Sequence, residues 1–151
     1  SPLLRCHEFA RELEQRHGLP LLVEERLKEI GFGAWEGRKP DELYEEDPEE
    51  VGRFWSDPVK FPPADGESLL VFQERVVAAW QELIAQYQGK HLLLVAHGGV
   101  NRMLIAQGLG IPLSHLFRMD IPYAGISRIL INDGIPRLAF HCASLDMHGV
   151  N

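Results

Sequence analysis

Residues 91–110 read HLLLVAHGGVNRMLIAQGLG. Leu92 to Ala96 is a continuous apolar run of strand length, the pattern of a strand buried on both faces. It stops at His97-Gly98-Gly99, after which the apolar residues follow helical spacing until Gly108 or Gly110 closes the helix. This is a strand–loop–helix unit. In α/β sheets ligands bind beyond the carboxyl ends of the strands, which is where His97 falls. The helix start that follows offers unpaired N–H groups and a positive dipole end, and glycine lets a phosphate approach the backbone. Local sequence leaves two readings of His97 open: a functional residue facing an anion, or a structural histidine at a strand end.

The flanking segments continue the alternation. Leu69, Phe72, Val76, Trp80, Leu83, Ile84 and Tyr87 lie at helical spacing behind Ser68, a suitable N-cap, and predict a long helix packed on a sheet. Further upstream, Phe9, Ala10 and Leu13 mark an amphipathic helix that ends at Gly18, with Leu19 to Val23 a short buried strand after it. KPDELYEEDPEEVGRFWSDP, residues 39–58, reads as short helices covering an edge. ISRILIND and PRLAFHCA, joined by turn residues that include Gly134, form a terminal antiparallel hairpin. Strands alternating with helices predict an α/β sandwich, one domain over residues 1–151.

Composition narrows the function. A formal charge of −7 argues against nucleic acid or an anionic membrane surface, so an anionic substrate must be bound by a local pocket. The two cysteines, Cys6 and Cys142, lie in no paired-ligand spacing, which predicts neither a disulfide framework nor a zinc site, and a reducing cytoplasm is expected. No apolar run reaches membrane-spanning length, and SPLLRCHEFA lacks the basic-then-apolar order of a signal peptide. There is no His-Glu-x-x-His, no Gly-Lys-Ser/Thr phosphate loop and no Gly-x-Ser-x-Gly elbow.

LKEIGFGAWEG, residues 27–37, sets Glu29 between apolar residues, just ahead of glycines, Phe32 and Trp35. A carboxyl held against apolar rings has its proton affinity raised and can serve as a general acid. Glu36 competes for that role, and for either residue a salt bridge is the structural alternative. A third candidate is Arg16-His17-Gly18, the order expected of a nucleophilic histidine. It follows a helical pattern, however, so Arg16 and His17 read as last-turn cations and Gly18 as the residue past the helix end.

Four stretches in order, SPLLRC, LKEIGFGAWEG, PPADGESLLVFQERV and LLLVAHGGVNRML, closely resemble the histidine phosphatases of the phosphoglycerate-mutase-like superfamily, and within it the α-ribazole phosphatases of cobalamin biosynthesis. The resemblance implies a three-layer α/β/α sandwich. It implies phosphate binding by Arg5, His97 and the Gly98 turn, transition-state stabilisation by His97, and acid/base catalysis by Glu29. Neither metal nor cofactor is implied, and the partner is a small phosphorylated metabolite. The family's first strand, which ends in Arg-His-Gly and carries the nucleophile, has no match before Ser1. The chain is therefore expected to be N-terminally truncated and to lack its central strand, and its unpaired edges to pair with another copy in a homodimer, to close by rearrangement or to stay partly unfolded. DMHGVN, residues 146–151, does not supply the missing motif, since Met147 stands where arginine is needed. The resemblance makes α-ribazole 5'-phosphate the first substrate. A broad small-molecule phosphatase or an inactive phosphate-binding homologue is the alternative, and a mutase fits less well because the segment between Gly37 and Gly66 is short.

Overall fold

The computed structural model describes residues 1–143, which leaves His148 and its motif outside the described residues. The helices are α1 (Leu4–His17), α2 (Pro40–Glu46), α3 (Pro48–Ser56), α4 (Leu69–Gln86) and α5 (Gly98–Leu109), followed by strands β1 (Ile126–Asn132) and β2 (Ile135–Ala143). Each boundary has a local cause. Gly18 ends α1 in left-handed backbone (φ 63°), donating its N–H to the Glu14 carbonyl at 2.8 Å. Prolines open α2 and α3, where the missing N–H costs nothing, and the Asp47 carboxylate accepts from Glu50 N at 2.8 Å. Ser68 Oγ accepts from Val71 N at 3.3 Å to start α4, as its sequence predicts. Of the two glycines that could close α5, Gly110 does so (φ 68°). Asp133 and Gly134 both take positive φ, giving the tight turn that joins β1 antiparallel to β2.

The core lies between α4 and α5. Leu69, Phe72, Val76, Ala79 and Leu83 of α4 meet Val100, Met103, Leu104 and Ala106 of α5, with Leu27, Ile30 and Leu116 closing the ends. The hairpin lies against α5 on another side. Phe32, Trp35, Phe54, Trp55 and Phe117 form an aromatic cluster, with Phe54 5.1 Å from both tryptophans and 5.2 Å from Phe117. It joins α3 to the Gly33–Trp35 turn and to the turn Leu113–Arg118.

Two expected strands do not form a ladder. Among the described residues the only sheet is the β1–β2 hairpin, and residues 19–23 and 91–96 lack strand pairing. Leu94 and Ala96 still pack on the helical core, but α4 meets α5 and the Glu25–Leu27 turn where its pattern predicts a sheet. On the other side Leu93 is 65% exposed and Leu22 56%. Apolar sequence gives a segment the character of a strand, but a ladder needs a neighbour to take its N–H and C=O groups. Neither run has one here.

Candidate active site

The turn at His97 is held from three directions. Leu94 to Ala96 leads into α5, whose N-cap is His97 with extended backbone (φ −115°, ψ 167°); the first helical bond runs from Asn101 N to the His97 carbonyl at 2.9 Å. The start of α1 covers the imidazole. Ser1 Oγ lies 2.7 Å from Nε2, Cys6 Sγ lies 3.6 Å from Nδ1, and the Cys6 thiol donates to the Ala96 carbonyl at 3.2 Å. His97 is only 5% exposed. That burial, with the Arg5 guanidinium adding to it, pushes the imidazole down to about 4, so it is neutral at physiological pH. Burial also pushes the Cys6 thiol up, which keeps it protonated.

Glu29 arrives from the opposite side. Its Oε2 accepts from Gly99 N at 3.1 Å and its Oε1 from Ile30 N at 3.0 Å. The carboxylate thus sits on the second residue of α5, two positions past His97. The environment expected of it is not the one found. Phe32 and Trp35 turn their rings to Phe54, and the hydrogen-bond partners of the carboxylate are backbone N–H groups, one of them at a helix start. Gly99 is required for this approach: a Cβ there would collide with the Glu29 carboxylate and lie 3.3 Å from Ile30 Cγ2. Glu36 is exposed and accepts from Phe32 N at 2.7 Å, capping its own turn away from α5.

Arg5 is exposed in the first turn of α1, one residue before the Cys6 that touches His97. A cation there faces the positive end of the helix dipole, a placement that does not favour the helix. His17 is exposed in the last turn of the same helix, eleven residues after Cys6, about 16 Å along the axis. The structure therefore brings Glu29 and His97 to one end of α5, sets Arg5 next in sequence to the Cys6 that touches His97, and leaves His17 apart. Two arginines without an assigned role also belong to this neighbourhood. Arg102 Nη1 lies where a Cβ on Gly98 would be 3.0 Å away, while its Nε donates to the Met119 carbonyl at 2.7 Å. Arg75 holds the Glu29 segment through its backbone carbonyls. Among the described residues no group of three or more histidine, cysteine, aspartate or glutamate side chains is placed to hold a metal ion, and no helix is long and apolar enough to cross a membrane.

A buried histidine at the N-cap of α5, with a carboxylate on the same helix end, is set on the α/β architecture of phosphoglycerate-mutase-like proteins. Residues 1–143 match the family model of the histidine phosphatase superfamily (branch 1), and the chain belongs to that superfamily. It is 31% identical over 129 residues to a putative phosphoserine phosphatase 2 of Hydrogenobacter thermophilus, covering 85% of this chain and 63% of that protein. It is 30% identical to the adenosylcobalamin/alpha-ribazole phosphatase of Escherichia coli, covering 87% of this chain and 65% of that one. It thus spans less than two thirds of the length of either relative. The crystal structure of the alpha-ribazole phosphatase from Shigella flexneri superposes with a TM-score of 0.78 at 29% identity, over 94% of this chain and 70% of that one.

Proposed function

We propose that residues 1–143 form the phosphate-contacting and proton-transferring part of a metal-independent phosphomonoester hydrolase. The observation that carries this is the meeting of Glu29 and His97 at the start of α5, with Glu29 Oε2 3.1 Å from Gly99 N. In the scheme of the superfamily a histidine nitrogen attacks phosphorus as the ester P–O bond breaks, and Glu29 gives its proton to the departing alcohol. Water then attacks the phosphohistidine, Glu29 takes its proton, and inorganic phosphate leaves. Arg5 and His97 contact the phosphoryl oxygens and offset their charge, a service that metal ions supply in other phosphoryl-transfer sites. The attack is not assigned to His17, which is exposed at the far end of α1 from the Cys6 that touches His97.

The substrate we favour is α-ribazole 5'-phosphate, on the likeness to the Escherichia coli and Shigella flexneri proteins. Matches of equal identity to phosphoserine phosphatases support a second reading, a phosphatase of broad specificity for small phosphate esters. Ligand titration followed by NMR of the histidine rings tests both. Inorganic phosphate should move the His97 resonances and raise its titration midpoint, with the response lost in Arg5→Ala. α-Ribazole 5'-phosphate should displace phosphate at lower concentration than phosphoserine does. A His97 ring indifferent to phosphate would overturn the site, while equal displacement by both esters would favour the broad reading.

A further inference from the structure

Arg75 lies on α4 three residues after Phe72 and four before Ala79, both fully buried, so helical geometry carries its side chain toward the core. The side chain is 15% exposed, and a charge so placed must have its donors occupied. Nε and Nη2 make a fork on Glu67, at 2.6 and 2.7 Å. Nη1 donates to the carbonyls of Arg26 and Lys28 at 2.6 and 2.8 Å, and Nη2 also donates to the carbonyl of Glu29 at 3.1 Å. The ring of Phe72 lies 4.8 Å beneath. Three carbonyls within four residues are thus collected by one side chain, all from the segment that carries Glu29.

Glu67 closes the arrangement. Its Oε2 accepts from Gly31 N at 3.3 Å, and its own N–H donates to the Gly31 carbonyl at 2.8 Å. Burial raises the proton affinity of Glu67, but the Arg75 hydrogen bonds outweigh it, and the carboxyl is held below its ordinary value. After the turn Glu25–Leu27 the chain from Lys28 to Phe32 has no helix or strand to define it. Its course is set by these bonds and by the burial of Leu27 and Ile30.

We infer that Arg75, with Glu67, is a positioning residue for Glu29: it fixes the backbone of residues 26–31 so that the Glu29 carboxylate meets Gly99 N–H at the start of α5. Neither residue touches the reacting atoms. The inference rests on the acid/base reading of Glu29 and deepens it. Lysine cannot replace Arg75, because an ammonium lacks the planar fork that grips Glu67 while reaching carbonyls on its other side.

Amide hydrogen exchange by NMR on the whole chain, without phosphate, tests it. Arg75→Lys should lower the protection of Gly99 N–H on the order of tenfold, the loss of a hydrogen bond to a charged acceptor. Amides in the middle of α4, such as Ala79, should stay within about twofold of the parent. Adding Glu29→Ala to Arg75→Lys should lower Gly99 no further, because the bond it removes is already gone. Glu67→Gln should give the same pattern to a smaller degree, and it decides the matter if Arg75→Lys lowers protection throughout the chain. Gly99 protection at the parent level in both Arg75→Lys and Glu67→Gln would overturn the inference. So would losses from Arg75→Lys and Glu29→Ala that multiply in full. Since no phosphate is present, failure of the phosphatase reading would show separately, as a His97 ring that ignores phosphate.

Discussion

Gly99→Ala isolates the contact on which the candidate site depends. Gly99 does not have positive φ, so alanine suits its backbone, and replacing glycine inside a helix by alanine ordinarily gains up to about 1 kcal/mol. Here the added methyl would collide with the Glu29 carboxylate, which must leave Gly99 N–H. Losing a hydrogen bond to a charged acceptor costs about 1.5–3 kcal/mol. The net expectation is a loss of about 1–2 kcal/mol, or roughly 2–8 °C in melting temperature for a chain of this size. Gly98→Ala is the adjacent control. A Cβ there meets only Arg102 Nη1, the far end of a flexible side chain, so its cost stays within about 0.5 kcal/mol. Urea and thermal melts of both variants, repeated in a Glu29→Ala background, measure the coupling. In that background Gly99→Ala should become neutral or stabilising. The same loss with and without the Glu29 carboxylate, or a Gly99→Ala chain as stable as the parent, would refute the reasoning.

His97 should stay neutral down to about pH 4 in an NMR titration, and Arg5→Ala should raise that midpoint because one of the charges disfavouring imidazolium is gone; a midpoint near 6.5 in the parent would contradict the burial account. Since the folded value lies below the unfolded one, near 6.5, the stability tied to neutral His97 is complete above that pH and is lost as pH falls through about 4, a slope that His97→Gln should flatten in denaturant melts. His17→Ala should leave phosphate binding at His97 unchanged, and a weakened response would return His17 to the site. The exposed Leu22 and Leu93, on segments without strand partners, should drive self-association, so Leu93→Lys should shift light-scattering mass toward monomer, and an unchanged mass would remove that face from the contact.

Local chemistry in the sequence was legible wherever one segment decides its own shape. The end of α1 at Gly18, the Ser68 cap, the aspartate-glycine hairpin and the histidine before two glycines each follow from a few neighbouring residues. The runs at 19–23 and 91–96 were read correctly as apolar and wrongly as ladder strands, because pairing depends on a neighbour that composition does not reveal. Glu29 stands out in its own segment, but its partner does not: the carboxylate is received by a residue seventy positions away. Arg75 lies within PPADGESLLVFQERV, a stretch that assigns it no role by itself. Its signal was present, a charge at helical spacing from Phe72 and Ala79 on an otherwise apolar face, which must find partners once the helix is buried.

The two glycines after His97 therefore do different work. The sequence suggests that both let a phosphate approach the helix end, yet Gly99 makes room for a carboxylate of the protein itself, and its N–H is engaged there. The helix-end donor before it, the Gly98 N–H, meets no acceptor among the described residues, and the His97 ring faces Ser1 Oγ. A neutral His97 can present only one ring N–H at a time, and Ser1 Oγ already faces Nε2 at 2.7 Å. Binding of a phosphate at Nε2 thus requires that hydroxyl to move or to join the anion's ligands, which ties the start of α1, and with it Arg5, to the occupancy of the site.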